Sequence, residues 1–93
     1  MIASFRSKET EELWISGKSR KFQAIAKIAL RKLVMLNNAR ELRDLFAAPG
    51  NRLEKLEGKR SGQYSIRIND QYRITFQFDE GEATNVEITD YHS

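Results

Sequence analysis

Residues 59–76, KRSGQYSIRINDQYRITF, contain two alternating runs joined by Asn69-Asp70-Gln71. In the first run Tyr64, Ile66 and Ile68 fall on one side and Ser65 and Arg67 on the other. In the second, Tyr72, Ile74, Phe76 and Phe78 share a side, while Arg73, Thr75 and Gln77 point away. A period of two is that of a strand, so the stretch predicts a hairpin with one apolar and one polar face.

Parity sets the register. Directly opposed residues of an antiparallel pair project to the same side of the sheet, and both apolar sets carry even numbers. A two-residue Asn-Asp loop is thereby excluded, and a three-residue loop, Asn69 to Gln71, is predicted. Ile68 then faces Tyr72, Ile66 faces Ile74, and on the other side Arg67 stands opposite Arg73. Like charges directly opposed are destabilising, which leaves two arrangements: both side chains splay into water, or an anionic group sits between them.

Upstream, Ile2 to Phe5 predicts a short opening strand, and Ser7 is placed as N-cap of a helix starting near Lys8. Glu9, Glu11 and Glu12 suit the positive end of that helix, Leu13 and Trp14 supply its apolar contacts, and Gly17 ends it. Gly17 to Lys21 is a basic loop. Phe22, Ile25, Ala29, Leu33 and Leu36 then recur at helical spacing, with Lys27, Arg31 and Lys32 expected away from most of the stripe. The helix is predicted to end at 37–39, and residues 40–46 to add a turn that packs Leu42, Leu45 and Phe46 inward. Ala47 to Asn51 holds the only proline and breaks the pattern. A strand over 52–56 and a loop over 57–62 carry Lys59 and Arg60 to the hairpin's rim. A turn at 79–81 and a last strand over 83–91 put Val86 and Ile88 in the core, with Glu87, Thr89 and Tyr91 on the face of Arg73. Helices first and antiparallel strands after imply one α+β domain, 1–93, with two helices on the apolar face of a small twisted sheet. The polar face of Ser65, Arg67, Arg73 and Thr75 is expected to be uncovered.

Charge is strongly segregated along the chain. Residues 18–43 carry eight basic groups and one acidic, whereas residues 79–93 carry five acidic and no basic groups. The basic segment points to an anionic partner, nucleic acid or an acidic protein, against the simpler reading of a solvated helix face. Without cysteine, neither a disulfide framework nor a thiolate metal site is available, and the single histidine, His92, offers no recognisable ligand spacing. No metal or other cofactor is therefore expected. The opening MIASFRSKET lacks a signal peptide's apolar run and no segment approaches a membrane span, so a cytoplasmic location and no membrane partner are expected.

Several stretches together resemble the HigB family of plasmid-maintenance killer toxins, within the RelE/ParE superfamily. They are Phe5-Arg6-Ser7-Lys8-Glu9-Thr10-Glu11, Arg31-Lys32-Leu33, Pro49-Gly50-Asn51-Arg52-Leu53-Glu54, the block Gly62 to Ile74, and the ending Val86-Glu87-Ile88-Thr89-Asp90-Tyr91-His92. The resemblance implies a RelE-like domain that cleaves messenger RNA in the ribosomal A site. It further implies neutralisation by a helix-turn-helix antitoxin of the HigA type, operator DNA being reached only through that antitoxin.

Metal-independent RNA cleavage by a ribose 2′-hydroxyl needs a base, positive charge at the phosphorane, and an acid for the 5′-oxygen. Arginine is too basic to exchange a proton, but its fork suits phosphate oxygens. Arg73, which matches the family's active-site arginine, is the expected phosphate clamp, supported by Arg67, Arg60 and Lys59, with Lys55 as an alternative to Lys59. His92 is the side chain that titrates near neutral pH, and the resemblance favours a catalytic role over a frayed tail. Asp90 either orients His92 or ends the strand as a solvated charge. Tyr91 is a stacking platform, a hydroxyl donor, or packing at the sheet's edge. Lys27, Arg31 and Lys32 are the expected ribosome contacts. Two other classes compete: a non-enzymatic, ParE-like inhibitor of DNA gyrase, and a module that only pairs with its antitoxin and operator DNA.

Overall fold

The computed structural model describes residues 1–91. Its helices are α1, Lys8–Ser16; α2, Ala26–Asn38, entered through a 3-10 turn at Gln23–Ile25; and α3, Leu42–Phe46. Its strands are β1, Glu54–Lys55; β2, Tyr64–Arg67; β3, Tyr72–Asp79; and β4, Glu82–Asp90, forming an antiparallel sheet in the order β1-β2-β3-β4.

The hairpin has the register that parity requires. Ile66 pairs with Ile74 and Arg67 with Arg73, and the Ile68 amide donates to the Tyr72 carbonyl at 3.0 Å. Asn69 makes the turn with its side chain: Oδ1 accepts from the amides of Gln71 at 2.9 Å and Tyr72 at 2.7 Å. Ile66, Ile74, Phe76, Val86 and Ile88 meet Leu13, Ala29, Leu33 and Leu36 from the helices in one buried cluster. Parity fails once, in β4. The register shifts between Thr75 and Gln77, opposite Asn85 with its left-handed φ of 52°, so odd-numbered Ala83 is fully buried. The extra residue of this bulge turns the strand's start over.

Ser7 caps α1 as expected, accepting from the Thr10 amide, and Gly17 ends it in a left-handed conformation with φ 77°. The same cap docks the helix on the sheet: buried Thr10 Oγ1 lies 2.7 Å from Ser7 Oγ and accepts from the Ile88 amide at 3.0 Å. The opening segment lies along β4 through parallel bridges at Ile2–Ala83 and Phe5–Val86 rather than as a full strand.

Three expectations are corrected. Phe46 does not pack inward; it is 74% exposed, because the short α3, closed by a capping box between Glu41 and Asp44, turns buried Leu45 and half-buried Leu42 to the core, as expected, and leaves Phe46 outside. Lys32 does not lie on the outer face of α2 but is 6% exposed; it sits three residues after Ala29 and four before Leu36, on the stripe itself. Finally, the polar sheet face is not uncovered, since Ser65, Arg73 and Thr75 are all buried. Their own hydrogen bonds close that face.

Candidate active site

Arg73 lies across the polar face of β2 with its donors in use. Nε donates to Ser65 Oγ at 2.8 Å, Nη2 to the Arg52 carbonyl at 2.6 Å, and Nη1 reaches Glu54 Oε1 at 3.5 Å. The Tyr91 ring covers the guanidinium, 5.2 Å from ring centre to Cζ, in a cation–π contact. Only 6% of Arg73 remains exposed, against 48% of Tyr91. Arg73 is thus a preorganised charge beneath an aromatic plate, with Nη1, its most loosely bonded nitrogen, toward the half-exposed Glu54 carboxylate.

Beside Arg73, Thr75 Oγ1 lies 3.0 Å from Thr89 Oγ1, and the pair continues the polar layer into β4. Beyond it opens a cavity of about 470 Å³ whose walls include Lys21, Arg60, Glu87, Thr89, Asp90 and Tyr91. Arg60 arrives on the 3-10 turn Gly58–Arg60 and is hydrogen-bonded through Nη1 to Gln63 Oε1 at 3.3 Å. Asp90, at the end of β4, accepts from Gln71 Nε2 at 3.0 Å, which ties the cavity floor to the hairpin turn.

Lys21 was not among the residues that the sequence singled out for the site. It is carried there by its neighbour: the buried Phe22 ring packs edge-on against Tyr72 at 5.8 Å, and Lys21 Nζ lies 5.5 Å from the same ring. The charge of the 17–21 loop was visible in the sequence, but the long-range contact that aims it was not.

Of the expected set, Arg73, Tyr91, Asp90 and Arg60 come together. His92 lies outside the described residues. Arg67 is drawn to the turn instead, where Nη2 pairs with the exposed Asp70 carboxylate. Lys55, in the edge strand β1, and Lys59, in the 3-10 turn, are exposed, and neither lines the cavity. On α2, Lys27 and Arg31 are exposed as expected. Among the described residues no three His, Cys, Asp or Glu side chains converge to hold a metal ion, and no helix is long and apolar enough to cross a membrane.

Chemically, the cavity is lined by two cations, Lys21 and Arg60, two carboxylates, Glu87 and Asp90, and the ring of Tyr91, which covers a third cation, Arg73. Cations suit phosphate oxygens, the ring suits a nucleobase, and carboxylates exchange protons.

Comparison with known proteins agrees with this architecture. Residues 3–92 match the family described as the RelE-like toxin of the type II toxin–antitoxin system HigB. Toxin HigB-1 of Vibrio cholerae serotype O1 is 39% identical over 91% of this chain and 92% of its own length. The endoribonuclease HigB of Proteus vulgaris is 44% identical over 44% of this chain and 45% of its own. Among solved structures, the YoeB–YefM complex from Staphylococcus aureus covers 100% of this chain and 99% of its matched chain with a TM-score of 0.63 at 21% identity, a likeness of fold.

Proposed function

Because the chain belongs to the HigB-like, RelE-like toxins of type II toxin–antitoxin systems, we propose that it is a ribosome-dependent endonuclease of messenger RNA that blocks translation. The observation that carries the proposal is Arg73, fixed under Tyr91 at the edge of a cavity bearing Lys21 and Arg60. The name of the Proteus vulgaris relative, an endoribonuclease, supports it.

In this reading the ribose 2′-oxygen attacks the adjacent phosphorus and gives its proton to a base. The P–O5′ bond breaks, and the 5′-oxygen takes a proton from an acid. A 2′,3′-cyclic phosphate and a 5′-hydroxyl result, with no metal required. Arg73 stabilises the negative charge gathering on the phosphorane, Lys21 and Arg60 hold the flanking phosphates, and the exposed face of Tyr91 stacks on a splayed base. Asp90 and His92 are the proposed proton-exchanging pair. Lys55, Lys59 and Arg67 fall to secondary contacts on the approaching strand, and Lys27 and Arg31 to ribosomal RNA. The partners are a HigA-type antitoxin, the ribosome and messenger RNA, all in the cytoplasm.

The test is to map new RNA 5′ ends in a translating extract with the purified protein, and again on naked RNA. Cuts within codons that appear only during translation are expected. Growth arrest without new ends would replace this proposal with inhibition of DNA gyrase.

A further inference from the structure

Lys32 is a cation that the fold has taken out of water. Its Nζ donates to Asn51 Oδ1 at 2.5 Å, a neutral acceptor, and burial together with the charges of Arg31 and Arg67 holds its pKa below the ordinary 10.5. Packing does not call for a charge here, since an apolar residue would continue the stripe of Ala29, Leu33 and Leu36. The lysine's specific contribution is to Asn51.

Asn51 is fully buried and bonded on every side. With Oδ1 occupied by Lys32, Nδ2 is oriented to the Leu45 carbonyl at 3.0 Å and Met35 Sδ at 3.1 Å. Its backbone carbonyl accepts from the Arg67 amide at 2.6 Å, so the segment is tied to the end of β2. The next residue, Arg52, has a left-handed φ of 45°, a conformation that non-glycine residues keep only where their surroundings impose it. The carbonyl of Arg52 is the one that takes Arg73 Nη2 at 2.6 Å.

We infer that Lys32 is a positioning residue of the site: by clamping Asn51 it sets the strained Arg52 peptide that holds Arg73 beneath Tyr91. The hydrogen-bonded relay runs from α2 through the 51–52 peptide to β3, and its effect on catalysis rests on the endonuclease reading. The relay itself does not.

The test therefore has two separate readouts. In the wild type, nitrogen-15 NMR should show separate Nη resonances for Arg73, because a guanidinium bonded at both ends rotates slowly, and the Asn51 Nδ2 protons should exchange as slowly as core amides. In Lys32→Met the Arg73 Nη resonances should merge while the strand amides keep their shifts, and Lys32→Arg should restore the separation. Turnover on translating ribosomes should fall roughly tenfold to a hundredfold in Lys32→Met, with KM little changed, the scale for a misplaced catalytic group. Fast exchange at Asn51 in the wild type would overturn the relay, and this needs no variant to fold. Unaltered Arg73 resonances in folded Lys32→Met would overturn it too. Merged resonances with full turnover would end the positioning role, whereas absence of cleavage by the wild type would bear on the endonuclease reading alone.

Discussion

Arg67 and Arg73 stand directly opposite each other in β2 and β3, yet their guanidinium groups part. Arg67 turns along the hairpin to Asp70, and Arg73 turns across β2 to Ser65, the Arg52 carbonyl and Glu54. Each has its own oxygen acceptors, and neither splays into bulk water. Two cations in opposed positions are accommodated because one is a turn residue's partner and the other has become part of the sheet's packing.

Arg73 therefore has a structural part beside the catalytic one proposed for it. Arg73→Lys keeps the charge but not the fork, and leaves Ser65 Oγ and the Arg52 carbonyl short of a donor in a buried layer. A loss of about 2 kcal/mol is expected from buried groups left without partners, read as a lower urea midpoint. The same variant should cut at least ~10²-fold more slowly, the scale for one preorganised charge-stabilising group. An unchanged midpoint would mean that these bonds do not close the polar face.

Much of this was legible beforehand. The hairpin register, its three-residue turn, the Ser7 cap and the Gly17 stop all follow from local rules of period, parity and capping. What was hidden depended on distance. The burial of the polar face needs Arg52 and Ser65 to meet Arg73 from separate stretches, and the placement of Lys21 needs Phe22 to find Tyr72. Lys32 is a different case: its spacing to Ala29 and Leu36 placed it on the buried stripe, but its charge argued for the outside. Asn85 carried a weak signal for the bulge, since asparagine tolerates the left-handed region.

The pKa of Lys32 has a sign that stability measurements reveal. Because the folded state lowers it, the unfolded chain binds more protons at pH values between the folded pKa and 10.5, and stability contributed through this residue rises with pH across that window. Below it the burial penalty is fully present. Unfolding free energies of wild type and Lys32→Met, compared at pH 7 and pH 10, should differ in that direction, the wild type gaining relative to the variant as pH rises. A constant difference would show that Lys32 keeps an ordinary pKa.

Asp44 gives the same slope in a lower pH window and for the opposite reason, since here the fold favours the charged form. The amides of Glu41 and Arg40 donate to its carboxylate and hold its pKa below 3.8. Its contribution is present above that value and is lost as pH falls through the lower folded pKa. Asp44→Asn should therefore melt earlier than the wild type at pH 7, and the gap should close on acidification below the folded pKa. A gap that persists in strong acid would assign the effect to something other than the carboxylate.

Lys21 and Arg60 face the cavity, whereas Lys59 does not line it. If Lys21 holds one phosphate, Lys21→Ala should weaken binding of a short single-stranded RNA and reduce the slope of log K against log salt by about 0.7, the value for one released counterion on a single strand. Lys59→Ala should leave the slope nearly unchanged. Equal slopes for all three proteins, by fluorescence anisotropy across a salt series, would remove Lys21 from the site.

Tyr91 separates the two chemical roles open to it. As a stacking platform its ring matters and its hydroxyl does not: Tyr91→Phe should retain RNA affinity, while Tyr91→Ala should lose about 1–3 kcal/mol, the range for one base–aromatic stack. The ring also covers Arg73, so the alanine variant should expose the guanidinium and free its contact with the 48%-exposed ring, whereas phenylalanine should keep it covered. Affinity and single-turnover cleavage measured on both variants distinguish the cases. Normal binding and slow cleavage in Tyr91→Phe would make the hydroxyl a participant in proton transfer, and the stacking role would then have to be carried by another part of the cavity.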